Sequence, residues 1–434
     1  MIQGLVVAGA TGLALIPILT HYFHVSFEVA LAVVIVQSLL IANAPTVFGD
    51  PYCHGWVTPA IPLVILEMRR FGAGAGASEE ATLQVIQLIT AFTLLNAAIF
   101  LFAGITGLGR VIIDRTPLPL KAGIIFGAAI SAFNQEFSVF REGGTPGHSY
   151  LFDAPYSCLT AVAICMILMF SVPVARWRVR FGWVRLLAGL GLAPGFVVAM
   201  FVGSLSGELH FAPEWGIERP PFTEMWQQLS PLSIGFPSLE MFATVLPLSL
   251  VVYVIGFGDI VTGNEMLRDA SVARPDEHLS INATRTHLNL GIRNGIQALS
   301  CGPFPVTHGP LWTGVHVVVT ERYKLGRKAM DSIFGGISAY YFWGLPILLF
   351  LKPVTTLLKP MLPVALSMTI LLTGFACGYL AMVLPRNNVE RGVAMTIGMV
   401  LAVFGAWQAL VLGIVMTVIM CGWESVLEET AESS

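Results

Sequence analysis

The chain is poor in charge. Of its 434 residues only 11% are Asp, Glu, Lys or Arg, where a soluble domain carries about a quarter. That shortage excludes the charged outer faces that a water-soluble helical protein needs. No basic run stands out and the formal net charge is −3, which excludes a nucleic-acid partner. The six cysteines (Cys53, Cys158, Cys165, Cys301, Cys377 and Cys421) are scattered. They make neither a disulfide framework nor a CxxC metal site. The basic leader and small-residue cleavage site of a signal peptide are missing too, so the chain from Met1 reads as a first transmembrane helix. No nucleophile–base pair or metal triad stands out, so no enzyme is expected and no metal cofactor is implied.

Apolar residues are abundant, at 55%. Eight stretches hold no charge at all. They lie between Glu28 and Asp50, Glu80 and Arg110, Asp153 and Arg176, Arg185 and Glu208, Glu240 and Asp259, Arg293 and Glu321, Asp331 and Lys352, and Lys359 and Arg386. Each reaches or approaches the roughly 20 residues that cross a hydrocarbon core as a helix. Backbone groups must be satisfied within such a segment, so helices are expected rather than open strands. The fold class that follows is an all-α polytopic membrane protein.

The pattern predicts fourteen segments, near 3–22, 27–44, 52–68, 85–107, 118–135, 157–174, 185–205, 239–258, 284–300, 308–320, 333–351, 362–384, 391–405 and 408–422. With the N-terminus inside, the inner loops receive most of the 23 Lys and Arg. Examples are Arg176 to Arg185 and Arg322 to Lys328, as the positive-inside rule requires. Both termini are then cytoplasmic, in the inner or plasma membrane. Arg293 falls inside a span. The acidic connection 206–238 falls outside and reads as a solvated loop.

Two places look alike. One runs Gly49-Asp50-Pro51-Tyr52-Cys53-His54-Gly55-Trp56-Val57-Thr58-Pro59. The other runs Cys301-Gly302-Pro303-Phe304-Pro305-Val306-Thr307-His308-Gly309-Pro310. Pro and Gly at that density prevent a continuous helix. Irregular backbone survives at membrane depth only where protein or a wet cavity satisfies it. One place lies in the third segment of the first seven, the other in the third of the second seven. Such a pair is the best sequence pointer to a transporter site. The half-helices that follow would turn unpaired N–H groups toward an anion or an electronegative edge.

At these residues the chain resembles the uracil/xanthine permease family (nucleobase–ascorbate transporters) and its structural relatives, the SulP anion transporters. The resemblance rests on Ala8-Gly9-Ala10-Thr11 through Ile16-Pro17, on 49–62, on Gly258-Asp259-Ile260-Val261-Thr262-Gly263-Asn264 and on 302–320. It implies two inverted repeats of seven helices, with two half-helices entered by short extended pieces. A core domain would comprise 1–107 and 239–352, and a gate domain 108–238 and 353–434. Substrate would sit between the third and tenth segments, the gate would often make a homodimer contact, and the core would move like an elevator. The family's two ring-binding carboxylates have no counterpart: Tyr253, Val254, Ile255 and Gly256 stand at one place, and Pro310, Leu311 and Trp312 at the other.

The residues expected to bind solute are Tyr52, Cys53, His54, Thr307 and His308. An imidazole donates to an anion when neutral and adds charge when protonated. Two His do not make a metal site. Asp259 ends an apolar run, where a carboxylate is costly and so marks function. In the relatives an acidic residue on the eighth helix handles the coupling cation. Asp259, Thr262 and Asn264 are therefore expected to serve Na+ or H+. Asp50 is either a substrate contact or a helix cap, the cap being favoured, and His316 reads as core. The sequon Asn282-Ala283-Thr284 lies on the inner side and reads as chance. The segment Glu136–Phe152 reads as a long loop or lid. The expected function is secondary transport of a small polar or anionic solute, the remaining partner being membrane lipid. A nucleobase permease with a reworked pocket, a passive anion channel, and a sensor without transport stay open as alternatives.

Overall fold

The computed structural model describes residues 9, 12–51, 53–74, 76–137, 148–306, 314–330 and 346–422. Within them the chain is helical, and the one bridge whose two partners are both described joins Ile217 to Leu351. The helices used below are α1 (Ile16–Phe23), α2 (Phe27–Ala42), α3 (Ile61–Arg70), α4 (Glu79–Thr106), α5 (Leu118–Phe137), α6 (Pro155–Phe170) and α7 (Ala193–Ser206). They continue with α8 (Leu239–Ala273), α9 (Ala283–Cys301), α10 (Gly314–Lys324), α11 (Leu362–Val383), α12 (Asn388–Val403) and α13 (Ala406–Met416).

Side chains start several of these helices. Ser26, Ser78 and Ser238 accept from the backbone N–H three residues on, at 3.2, 3.2 and 3.3 Å, and an acidic residue follows in the first turn of each helix. Both features answer the orphan N–H groups and the positive end of the helix dipole. Asn282 caps α9 in the same way, accepting from Arg285 N at 3.1 Å, so the sequon asparagine has a structural job.

Among the described residues, four helical stretches are long and apolar enough to cross a membrane: Phe27–Phe48, Glu79–Thr106, Leu239–Ala273 and Lys352–Val383. Pro155–Phe170 and Val172–Arg180, bent by 63°, would together make a fifth. Many large apolar side chains face outward, among them Phe102, Ile105, Val197, Phe201, Leu205 and Tyr379. A soluble monomer rarely exposes apolar surface so widely. The chain is an integral membrane protein on these grounds.

Packing divides the helices into two groups. In one, α4 lies along α8 and α9, α2 meets α1 and α9, and α8 meets α10. In the other, α5 lies along α11 and α12, α6 along α7 and α11, and α12 along α13. The short α3 leaves its own sequence neighbours to touch α5. Lipid offers no hydrophobic drive between helices, so close approach of small residues takes its place. A Cβ at Gly398 would stand 2.9 Å from Gly127 N, and one at Gly127 would stand 2.6 Å from Leu401.

Two expectations about segments change here. The eighth helix does not end near residue 258. It runs unbroken from Leu239 to Ala273, because a helix leaving hydrocarbon has no reason to stop until its capping signals do. The long apolar stretch after Arg391 is two helices, α12 and α13, parted at Gly405, whose φ of 113° suits glycine alone.

Candidate functional site

The third segment is broken as its Pro and Gly dictate. A wide turn covers Ala44–Phe48, and Gly49 follows with φ 69°. Residues 53–57 are not helical. A tight turn at Thr58–Ala60 then leads into α3, with Pro59 and Pro62 at first-turn positions where no N–H is needed. The second broken place begins where α9 ends at Cys301. Gly302 has φ 66°, and a Cβ there would fall 1.7 Å from Leu229 O. Residues 303–306 are not helical. The first place meets α10: the His316 side chain hydrogen-bonds the Cys53 backbone and lies near His54. Thr93 of α4 also donates to Phe304 O, at 3.3 Å.

Asp50 is the centre of this region, not a helix cap. It is 1% exposed. Its Oδ2 accepts from His54 Nε2 at 3.0 Å and from Asn289 Nδ2 at 2.6 Å. Its Oδ1 accepts from Thr286 Oγ1 at 3.1 Å and from Arg285 Nε at 3.3 Å. A carboxylate accepts only, so His54 must carry its proton on Nε2. Arg293, 1% exposed, donates to His54 O at 2.6 Å. Two guanidiniums, one imidazole and the Asp50 carboxylate thus meet at this segment.

The donors come from one face of α9. Thr286, Asn289, Arg293 and Gln297 are spaced three or four residues apart, so they stack along one stripe, and all four are buried. Asn289 Oδ1 has no hydrogen-bond partner among the described residues. The stripe was visible in the sequence as polar residues at helical spacing inside a span, with Arg293 its plainest member.

The expected solute residues divide. Cys53 and His54 are here and fully buried. Tyr52, Thr307 and His308 lie outside the described residues. The expected cation residues do not converge. Asp259 is half-buried and neighbours Cys377 of α11. Thr262 faces outward and its hydroxyl donates to Gly258 O at 3.0 Å. Asn264 lines a separate cavity of about 500 Å³ with His287, Thr284 and Arg268. A continuous helix turns about 100° per residue, which sets Asp259 and Asn264 about 140° apart. Among the described residues no three His, Cys, Asp or Glu group as a metal site would require.

No family model matches the chain, and no curated protein sequence matches it. Solved structures do. The transmembrane domain of BicA, a cyanobacterium bicarbonate transporter, shares 14% identity over 95% of this chain and 96% of that one, with a TM-score of 0.51. SLC26A9 shares 12% over 96% of this chain and 64% of that one, at 0.54. The murine Slc26a9 anion transporter in its inward-facing state shares 11% over 97% and 67%, at 0.50. At these identities the likeness is one of fold. The fold is that of SulP-type transporters, as the resemblance implied, and these neighbours are transporters rather than enzymes.

Proposed function

We propose that this chain is a secondary transporter of a small anion. One observation carries the reading: Arg285 and Arg293, both from α9, reach the broken third segment, one at Asp50 and the other at the His54 main chain. Two guanidiniums brought to one irregular segment support an anion rather than a cation as the solute. The start of α3 adds its dipole to the same end. The BicA and murine Slc26a9 neighbours, a bicarbonate and an anion transporter, fit this reading.

The finer mechanism belongs to the same proposal. The group around α4, α8 and α9 is the core, at 1–107 and 239–352. The group around α5, α11 and α12 is the gate, at 108–238 and 353–434. The fourteen segments form two inverted repeats. The core carries solute past the gate by an elevator movement, and the gate makes a homodimer contact. Asp259, at the face of α8 nearest Cys377 of the gate, handles a coupling Na+ or H+. The protein sits in the inner or plasma membrane with both termini inside.

The test is binding and flux with the purified full chain. Chloride, bicarbonate and sulfate should raise the thermal stability of wild type, and Arg293→Met should lose that response. In vesicles the flux of the stabilising anion should follow an imposed Na+ or H+ gradient. Stabilisation by uracil or xanthine, with none by the anions, would replace this reading with the permease one. Anion flux indifferent to both gradients would replace it with a channel.

A further inference from the structure

A buried carboxyl outside the anion site lies in the last turn of α5. Glu136 reads in the sequence as the start of a loop, yet it is inside the helix and 0% exposed. Its Oε2 accepts from Leu151 N at 2.9 Å and from Ser367 Oγ of α11 at 2.8 Å. Its Oε1 has no hydrogen-bond partner among the described residues. Ser149 Oγ donates to Glu136 O at 2.5 Å, which ties the turn Tyr150–Asp153 to the helix end a second time. Tyr150 is 1% exposed and within electrostatic reach of Glu136, and its hydroxyl also lacks a partner among the described residues.

No cation pairs with Glu136 in the described contacts. Arg69 of α3 enters the same neighbourhood, but it donates to Tyr22 OH of α1 at 3.2 Å and to His148 O at 2.9 Å. Glu67 and Arg70 of α3 hold each other at 3.2 Å. His148 and Asp153 are both within electrostatic reach of Glu136, but they pair with each other at 3.1 Å, with side chains 32% and 36% exposed. From α1 His21 stacks on His148, and from α6 comes the neutral Cys158. On α11 the next titratable group after Ser367 is Cys377, about 15 Å further along the helix axis, and Asp259 lies beside that cysteine. On α12 Glu390 and Arg391 precede Ile397, which meets Gly123, so they stand toward the other end of α5.

A carboxylate taken out of water with two neutral donors and one bare oxygen is costly, and protonation removes that charge. In the neutral acid one oxygen accepts and the other carries the proton. Glu136 has that asymmetry, with Oε2 served twice and Oε1 not at all. Within a membrane protein a buried carboxyl of this kind marks function.

We propose that Glu136 is a proton-binding site, separate from Asp259, that carries its proton on Oε1 in this conformation and exchanges it with water. Release breaks the Oε1–H bond, hands the proton to water and leaves a carboxylate on α5; uptake reverses both. No solute takes part, so the site does not depend on the anion reading.

The test is infrared difference spectroscopy on the full chain in phosphatidylcholine–phosphatidylglycerol vesicles. The pH is stepped from about 5 to about 9, the range that buried carboxyls reach. The carbonyl stretch of a protonated carboxylic acid should be present at the acid end and lost reversibly at the alkaline end. Glu136→Gln keeps the shape of the neutral acid and should remove that band from the difference spectrum. Ser367→Ala, milder for folding, takes a donor from the ionised form, so the band should persist to higher pH than in wild type. No titrating band in wild type, a band retained in Glu136→Gln, or an unshifted band in Ser367→Ala overturns the site. Should Glu136→Gln not fold, the shift in Ser367→Ala decides. A missing band with anion binding intact would remove this site and leave the anion reading standing, and the reverse result would do the opposite.

Discussion

Arg293 of α9 donates to the main-chain oxygen of His54 at 2.6 Å, so a side chain from the second half of the molecule grips the backbone of a segment broken in the first. Proline and glycine strip that segment of its own helical acceptors and donors, and its free carbonyl is answered across the fold. Asp50, four residues earlier, is answered by the same helix.

Asp50→Asn keeps the shape of the side chain and removes its charge. Arg285, Thr286, Asn289 and His54 then lose the carboxylate to which they donate. Loss of one partner from a buried charge pair costs about 3–5 kcal/mol, so the variant should melt well below wild type in detergent. An unchanged melting temperature would show that the charge of Asp50 is not what holds these donors.

Gly302→Ala should prevent normal folding. The new methyl would meet Leu229 O at 1.7 Å, and the φ of 66° is strained for any residue with a Cβ. The yield of monodisperse protein should collapse, while Gly258→Ala, at an open position on α8, should leave it near wild type. Equal yields would mean that Leu229 does not pack against the end of α9.

Glu208 lies in the connection after α7 and caps the start of α6. It accepts from Tyr156 N at 2.8 Å, Ser157 N at 2.8 Å and Ser157 Oγ at 2.6 Å. Desolvation pushes its carboxyl up, but the bonds from the Ser157 hydroxyl and the Tyr156 and Ser157 amides outweigh it, leaving the group below its ordinary value of 4.5. A lowered folded value gives stability that is present above the ordinary value and lost as pH falls through the folded one. Glu208→Gln should therefore melt below wild type at neutral pH, with the gap closing as pH falls below the carboxyl's ordinary value of 4.5 and on through its lower folded value. A gap that persists in acid would assign the effect to packing rather than to charge.

Asp259→Asn should leave the protein folded and able to bind an anion, yet abolish accumulation driven by a cation gradient. A fluorescence or tracer assay with imposed Na+ and H+ gradients reads this directly. Normal gradient dependence in the variant would remove Asp259 from coupling.

How much was legible follows from where each signal resides. The break in the third segment was readable from Pro51 and Pro59, because proline acts on its own backbone. The end of α9 was readable from Gly302 and Pro303 for the same reason. The reach of α8 to Ala273 was not. Asp259, Glu265 and Arg268 look like the end of a span, and hydropathy reports where hydrocarbon ends rather than where helix ends. Asp259, Thr262 and Asn264 lie within one continuous helix rather than at its end.

The sequence by itself determined the solvent and the class of structure: a chain so apolar and so poor in charge must lie in a bilayer, and in a bilayer a backbone of this kind must be helical. It also determined where the helix must fail. Only the tertiary structure decided what Asp50 does. Read locally, an Asp beside Pro51 is a cap. Its partners Arg285, Thr286 and Asn289 lie 235, 236 and 239 residues away. Local propensity is written in neighbouring residues, whereas the balance of buried charge is set by whichever helix packs alongside. Here that helix is α9, and its packing is what makes Asp50 a centre of contacts rather than a cap.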